Sequence, residues 1–251
     1  MIYNAPRHSL AKRYVDLLAG RIEEDQSLAK GERRKLKLLL AAAEILQEGG
    51  YHKMRIADII KKAKVARGTF YIYFTDKSDI TLQVLSDFRA QMLTSSNLNM
   101  SGKDWHNKVY LANLYYAEVY QMNSGLQQAF YQFVDEADDF SRMRHKKERE
   151  WVERLFTAYL RNFDLKPTEV ERDNLLRRLH ALRAMAERLC VQIYVEAVPE
   201  MTELFPTPHH VATTVTDIWV ETLTAEFSKY EVGRARRCPA KSSGKVLRKD
   251  L

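Results

Sequence analysis

Apolar residues in this chain recur with the period of an α-helix and nowhere with the period of a β-strand. Leu36, Leu39, Leu40, Ala43 and Leu46 fall at i, i+3, i+4, i+7 and i+10, one face of a helix that stops at Gly49-Gly50. A short apolar segment around Ile56, Ile59 and Ile60 follows, then another around Phe70, Tyr71 and Phe74. Asp76 reads as an N-cap, with Asp79 three residues on, opening a helix through Ile80, Val84 and Phe88. Four helical segments thus fit between Lys30 and about Ser95. Upstream, Leu10, Tyr14, Leu17, Leu18 and Ile22 space out a further amphipathic helix before Ser27. Downstream, Ser101 with Asp104, Thr168 with Glu171, and Thr207-Pro208 mark helix starts. Breaks at Ser124-Gly125 and before Pro167 divide the middle into three helices. The expectation is an all-α chain with an N-terminal helical extension (1–29), a helix-turn-helix unit (30–95), a larger helical domain (96–233) and a basic disordered tail (234–251).

Charge is unevenly placed along the 251 residues, whose net charge is +7. Lys30 to Lys77 carries 12 Lys and Arg against 5 Asp and Glu, and Arg234 to Asp250 carries 7 against 1, which leaves the middle net acidic. Such a basic head and tail suit contact with a polyanion at one part of the molecule, although charge runs also simply solvate helix faces. No apolar run reaches the roughly 20 residues of a bilayer span, and Met1 to Leu10 has no secretory h-region. Cys190 and Cys238 match no metal or redox spacing, which fits a reducing, cytoplasmic setting. The seven histidines lack metal-ligand spacing, and no phosphate loop, nucleophile elbow or zinc motif occurs. No catalytic residue, metal or cofactor is therefore expected.

The most informative stretch runs from Gly50-Tyr51 through Ile56-Ala57-Asp58-Ile59-Ile60 to Gly68-Thr69-Phe70-Tyr71-Ile72-Tyr73-Phe74 and Lys77. Two helices of about seven residues meet at Lys64-Val65, with Val65 plugging the angle between them, as a helix-turn-helix requires. Ile56, Ile59, Ile60, Val65, Phe70 and Phe74 hold this pair on its neighbours, while Arg55, Arg67 and Thr69 stay outside. Gly68 keeps the second helix slim enough for a close backbone approach.

This segment, about Glu32 to Phe88, closely resembles the TetR/AcrR family of transcription regulators, most specifically in the run from Gly68 to Lys77. The resemblance implies a dimer that binds a palindromic operator in double-stranded DNA, with repression relieved by a small effector. It implies that Lys77 meets backbone phosphate at a helix start, that Tyr71 and Tyr73 flank the groove, and that Arg67 and Thr69 lie near base edges. Arg55 matches the start of the second helix of the family pattern. With Lys64, Ala66 and Gly68 these residues form the candidate DNA-binding set. Three departures weaken the local helices. Lys64 stands where the family has a turn glycine, and Met54 and Ala66 stand where it has capping hydroxyls.

Beyond about Ser95 the resemblance extends only to a general plan, a variable helical domain that binds a ligand and dimerises. Leu175, Leu176, Leu179, Leu182, Met185, Leu189 and Ile193 make a stripe wider than one packing face, and Val215, Ile218, Trp219 and Leu223 lie on the last helix. Leu182, Leu189, Ile218 and Trp219 are candidates for a four-helix dimer interface, the alternative being a monomeric bundle. Tyr115, Tyr116, Tyr120, Phe130 and Arg183 are candidates for binding a largely apolar effector, the alternative being plain core. Arg183 and Arg188 would pair either with a ligand anion or with the acidic cluster Asp135, Glu136, Asp138 and Asp139. A rival reading is a helical interaction protein that keeps the fold without specific operator binding.

Overall fold

The computed structural model describes residues 10–95, 105–135 and 138–237. Every regular element among them is helical. A short leading helix, α1 (Tyr14–Glu24), precedes α2 (Lys30–Lys53), α3 (Ile56–Ala63), α4 (Arg67–Tyr73) and α5 (Lys77–Ser95). The larger half comprises α6 (Trp105–Met122), α7 (Ser124–Val134), α8 (Asp138–Asn162), α9 (Glu169–Cys190), a π-helical turn over Val191–Val195, α10 (Pro199–Leu204) and α11 (Pro208–Arg237). The long apolar stripe after Thr168 therefore does not stay α-helical to its end, because its last residues widen into the π turn. Helix α11 runs through Arg237, four residues into the stretch expected to be a disordered tail, and 238–251 lie outside the described residues. The start signal at Ser101 and Asp104 also lies outside them, as does the acidic cluster apart from Asp135 and the backbone of 138 and 139.

Local chemistry accounts for the helix ends. At α9 the Thr168 backbone N–H donates to Glu171 Oε2 at 2.7 Å, and the Glu171 N–H donates back to Thr168 Oγ1 at 3.4 Å, a reciprocal cap. At α5 the Asp79 N–H donates to Asp76 Oδ1 at 2.9 Å, while the second carboxylate receives the Thr75 N–H at 3.0 Å. Regular helix in α2 stops at Gly50, where φ is 73°. A β-carbon there would also meet Gln132 Oε1 at 2.7 Å, the atom that accepts the Tyr51 N–H, so only glycine fits. Among the described residues, no helix is long and apolar enough to cross a membrane.

Two large apolar cores result, beside a small cluster of Tyr110, Leu114 and Ala212 between α6 and α11. One gathers Leu38, Ala42, Leu46, Ile59, Phe70, Phe74 and Ile80 from α2 to α5, and continues into Leu126, Phe130 and Phe133 of α7. The other joins α6, α8, α9 and α11 through Tyr120, Val152, Leu175, Leu179, Val215 and Trp219. Helix α7 lies so close to α2 that a β-carbon on Gly125 would sit 1.8 Å from the Gln47 carbonyl oxygen. Helix α1 closes the same joint. The Leu10 and Ala11 N–H groups donate to Glu118 Oε2 of α6 at 2.7 and 3.0 Å, and the Tyr14 N–H donates to Asn123 Oδ1 at 2.8 Å. On its other side Tyr14 donates its hydroxyl to Asp87 Oδ2 of α5 at 2.8 Å. The first core thus crosses from the helix-turn-helix region into the larger half.

Candidate nucleic-acid interface

The turn between α3 and α4 is set by Lys64, whose φ of 53° and ψ of 46° are left-handed. Its N–H reaches the Lys61 carbonyl at 3.3 Å, and the Val65 N–H reaches the Ile60 carbonyl at 3.3 Å. These two bonds satisfy the carbonyls that end α3, as in a Schellman turn. A lysine holds this conformation at a cost of about 1 kcal/mol relative to glycine. Neither helix start has a side-chain cap: Arg55 precedes α3 and Ala66 precedes α4, both in extended backbone and without a capping bond. Met54 is instead 1% exposed, so its side chain contributes to the core what a hydroxyl there would have given to the helix end.

Tertiary packing decides which face of α4 is presented. At about 100° per residue, Thr69, Phe70, Tyr73 and Phe74 share one half of the helix and Arg67, Gly68, Tyr71 and Ile72 the other. The first half faces inward: Phe70 and Phe74 are buried, Thr69 and Tyr73 half-buried. The second half is exposed throughout, with Tyr71 at 47% and Ile72 at 73%. Nothing lies within 4 Å of a β-carbon built on Gly68. Arg55, before α3, and Lys64 and Ala66, in the turn before α4, are also exposed. The Tyr73 hydroxyl reaches back to the first turn of α2, 3.4 Å from a β-carbon built on Gly31. The Lys77 ammonium rests 4.0 Å above the centroid of the Tyr51 ring, a cation–π contact at the start of α5. Lys62 is held away from the strip by Glu44 at 3.3 Å and Glu48 at 3.1 Å.

Of the candidate DNA-binding residues, Arg55, Lys64, Ala66, Arg67, Gly68 and Tyr71 are therefore all exposed, and Lys77 is half-buried. Thr69 and Tyr73 turn partly inward. Ile72 belongs to the exposed strip and is absent from the candidate set. Its signal in the sequence was the four-residue spacing from Gly68, obscured by its apolar character.

The candidate effector residues are packed rather than open. Tyr115, Tyr120 and Phe130 are buried, Tyr120 and Phe130 almost completely. The Tyr116 hydroxyl donates to Tyr120 at 3.3 Å, Tyr120 and Tyr131 share a bond of 3.0 Å, and Tyr131 donates to Glu187 Oε1 at 2.9 Å. Arg183 reaches Glu187 Oε2 at 2.5 Å and Glu148 Oε2 at 3.3 Å, and Arg144 reaches Glu187 Oε1 at 3.2 Å. Arg188 pairs with Glu196 at 2.6 Å. Both arginines thus take partners other than Asp135. Burial by itself would raise the Glu187 carboxyl, but Arg183, Arg144 and the Tyr131 hydroxyl outweigh it and hold that carboxyl below the usual range. A small apolar crevice of about 10 Å³, room for roughly one water, lies among Trp105, Leu155, Tyr159, Phe163, Leu179 and Trp219. None of the candidate effector residues lines it.

Of the candidate dimer residues, Leu182 and Trp219 are buried in their own subunit at 5% and 4%, whereas Ile218 is 39% exposed and Leu189 half-buried. Among the described residues, no group of three or more His, Cys, Asp or Glu is arranged to hold a metal ion.

Comparison with known proteins converges on the same N-terminal region. Residues 38–84 match the family model for bacterial regulatory proteins, tetR family. The chain is 30% identical to the uncharacterized HTH-type transcriptional regulator YdgC of Bacillus subtilis (strain 168) over 120 residues, 46% of this chain and 54% of that one. It is 52% identical to another uncharacterized B. subtilis HTH-type transcriptional regulator, YvdT, over 42 residues, 17% of this chain and 22% of that one. The matches thus span about half the length, or less, of these curated relatives. A solved structure described as a TetR-family transcriptional regulator from Syntrophomonas wolfei superposes with a TM-score of 0.54 at 22% identity, covering 78% of this chain and 97% of that one, which is agreement of fold. Through residues 38–84, its N-terminal helix-turn-helix, the chain is thus similar to the tetR family of bacterial regulatory proteins.

Proposed function

We propose that this protein is a DNA-binding transcription regulator, acting as a homodimer on a palindromic operator and released by a small, largely apolar effector. The observation that carries the proposal is the outward face of α4, stripped of bulky packing, with Arg55, Lys64 and Arg67 exposed in the same helix-turn-helix. Such a face fits the major groove, with the arginines toward base edges and Tyr71, Tyr73 and Lys77 toward the phosphates. The family is one of regulators rather than enzymes, in keeping with this assignment. Dimerisation would use the outer faces of α9 and α11, where Ile218 and Leu189 offer apolar surface and Leu182 and Trp219 support it from beneath. Two recognition helices related by the dimer axis would then meet successive half-sites about one turn of DNA apart.

Release follows from the joined core. A ligand that enters the larger half moves α6 or α7, and both helices are tied to α2, α5 and α1. If it binds better to a differently splayed dimer, it shifts the population away from DNA by its differential affinity. Repression relieved by the effector, in the cytoplasm, is the sense we propose.

The test is recovery of fragments from a pool of the source genome at two salt concentrations. Enrichment of a palindrome, weakening steeply with salt and lost in Arg67→Ala and Lys77→Ala, supports the proposal. Weak binding to all fragments, unchanged by those substitutions, rejects it in favour of a helical interaction protein.

A further inference from the structure

We propose that Ile72 reads the C5-methyl group of a thymine in each operator half-site, deepening the DNA-binding reading on which it rests. Ile72 is the most exposed large apolar side chain among the described residues, at 73%. It is not an isolated surface residue, which would need no explanation. It lies one helical turn beyond Gly68, on the same side of α4, and Gly68 has open space where a side chain would stand. The two make an apolar step beside the Arg67 and Tyr71 row. The surroundings narrow the occupant. Arg55, Lys64 and Arg67 are all exposed in the same helix-turn-helix, so an uncharged apolar protein surface would offer these cations nothing, whereas duplex DNA supplies phosphates and base acceptors.

Within an unmodified major groove only one base displays an apolar group, the C5-methyl of thymine. Cytosine presents an amino donor at the neighbouring position, and purines present acceptors and donors. An isoleucine lowered into the groove beside Gly68 would strip water from those polar groups without replacing it, and so selects thymine by rejection as well as by contact. Its β-branch adds to this, because a helical isoleucine has essentially one side-chain rotamer and loses little freedom on docking.

The experiment uses the full chain and the operator recovered above. Each thymine of both half-sites is replaced in turn by deoxyuridine, which removes the methyl group and keeps the base pair. Wild type is expected to lose about fourfold in affinity per half-site at one thymine position, the factor for one buried methyl-sized group. Ile72→Ala is expected to bind the thymine operator about as weakly and to be indifferent to uracil at that position. Ile72→Val should retain most of the discrimination. Unchanged thermal unfolding of Ile72→Ala confirms that an exposed site was altered without harm to the fold. Equal sensitivity to uracil in wild type and Ile72→Ala, or sensitivity nowhere, overturns the thymine reading while leaving the operator intact. Recovery of no operator overturns both readings, and that outcome is distinct from the first.

Discussion

At Glu187 a relay of tyrosine hydroxyls, Tyr116 to Tyr120 to Tyr131, ends on a carboxylate clamped by Arg183 and Arg144. The phenols are pushed up by burial and stay protonated, so Tyr131 donates to the carboxylate. Glu187→Gln would leave both guanidinium groups in a confined site with one counter-charge, Glu148, between them. A loss of about 3 kcal/mol at neutral pH is expected, read from urea unfolding. The sign of its pH dependence follows from the lowered carboxyl. Stability gained from ionised Glu187 is present above the ordinary glutamate value of about 4.5 and is lost as pH falls through the lower folded value. The gap between wild type and Glu187→Gln should therefore close in acid. A gap that persists unchanged below the ordinary glutamate range would show that charge is not its cause. The same network explains why the effector residues read from the sequence are not an open site. Aromatic density in α6 and α7 marks where side chains gather, and here they gather against each other.

Among elements, the turn between α3 and α4 is the one built against its residue preferences. Lys64 adopts a left-handed conformation that glycine takes without penalty, and both following and preceding helices start uncapped. Lys64→Gly should raise stability by about 0.5 to 1 kcal/mol, part of the relief being offset by the freedom glycine adds to the unfolded chain. An upward shift of the urea midpoint without change of slope would record it, and a fall in midpoint would mean that Lys64 contributes contacts that outweigh its strain. The departure was legible from sequence because the helix-turn-helix spacing locates the turn to the residue. Which face of α4 turns outward was less so. Thr69 and Tyr73 are polar enough to be assigned outward, yet Phe70 and Phe74 pull that half of the helix into the core, and Ile72 is carried outside with Gly68.

For the whole molecule, the proposed assembly rests on α9 and α11. Leu182 and Trp219 are consumed by the subunit's own core, so any dimer contact must use what remains outside, notably Ile218. Ile218→Arg places a charge on that face at the most exposed of the four candidate positions. For the proposed dimer and operator, sedimentation should then show a shift from dimer to monomer, with far-ultraviolet circular dichroism unchanged and operator binding weakened at least tenfold. A variant that stays dimeric would exclude this face.

The sequence alone determined the helical class, the starts of α5, α7, α9 and α11 and the placement of α4, but not the break between α7 and α8, the π turn or α10, because periodicity, capping pairs and glycine at a forced φ are local properties of neighbouring residues. Tertiary structure alone decided that α7 presses on α2 at Gly125, that α1 bridges α5 and the junction of α6 with α7, that Arg183 is neutralised inside the subunit, and that Leu182 and Trp219 face inward. Those outcomes depend on which apolar faces meet. Several helices here carry more apolar surface than one contact needs, so only the packed chain settles which side of each is used.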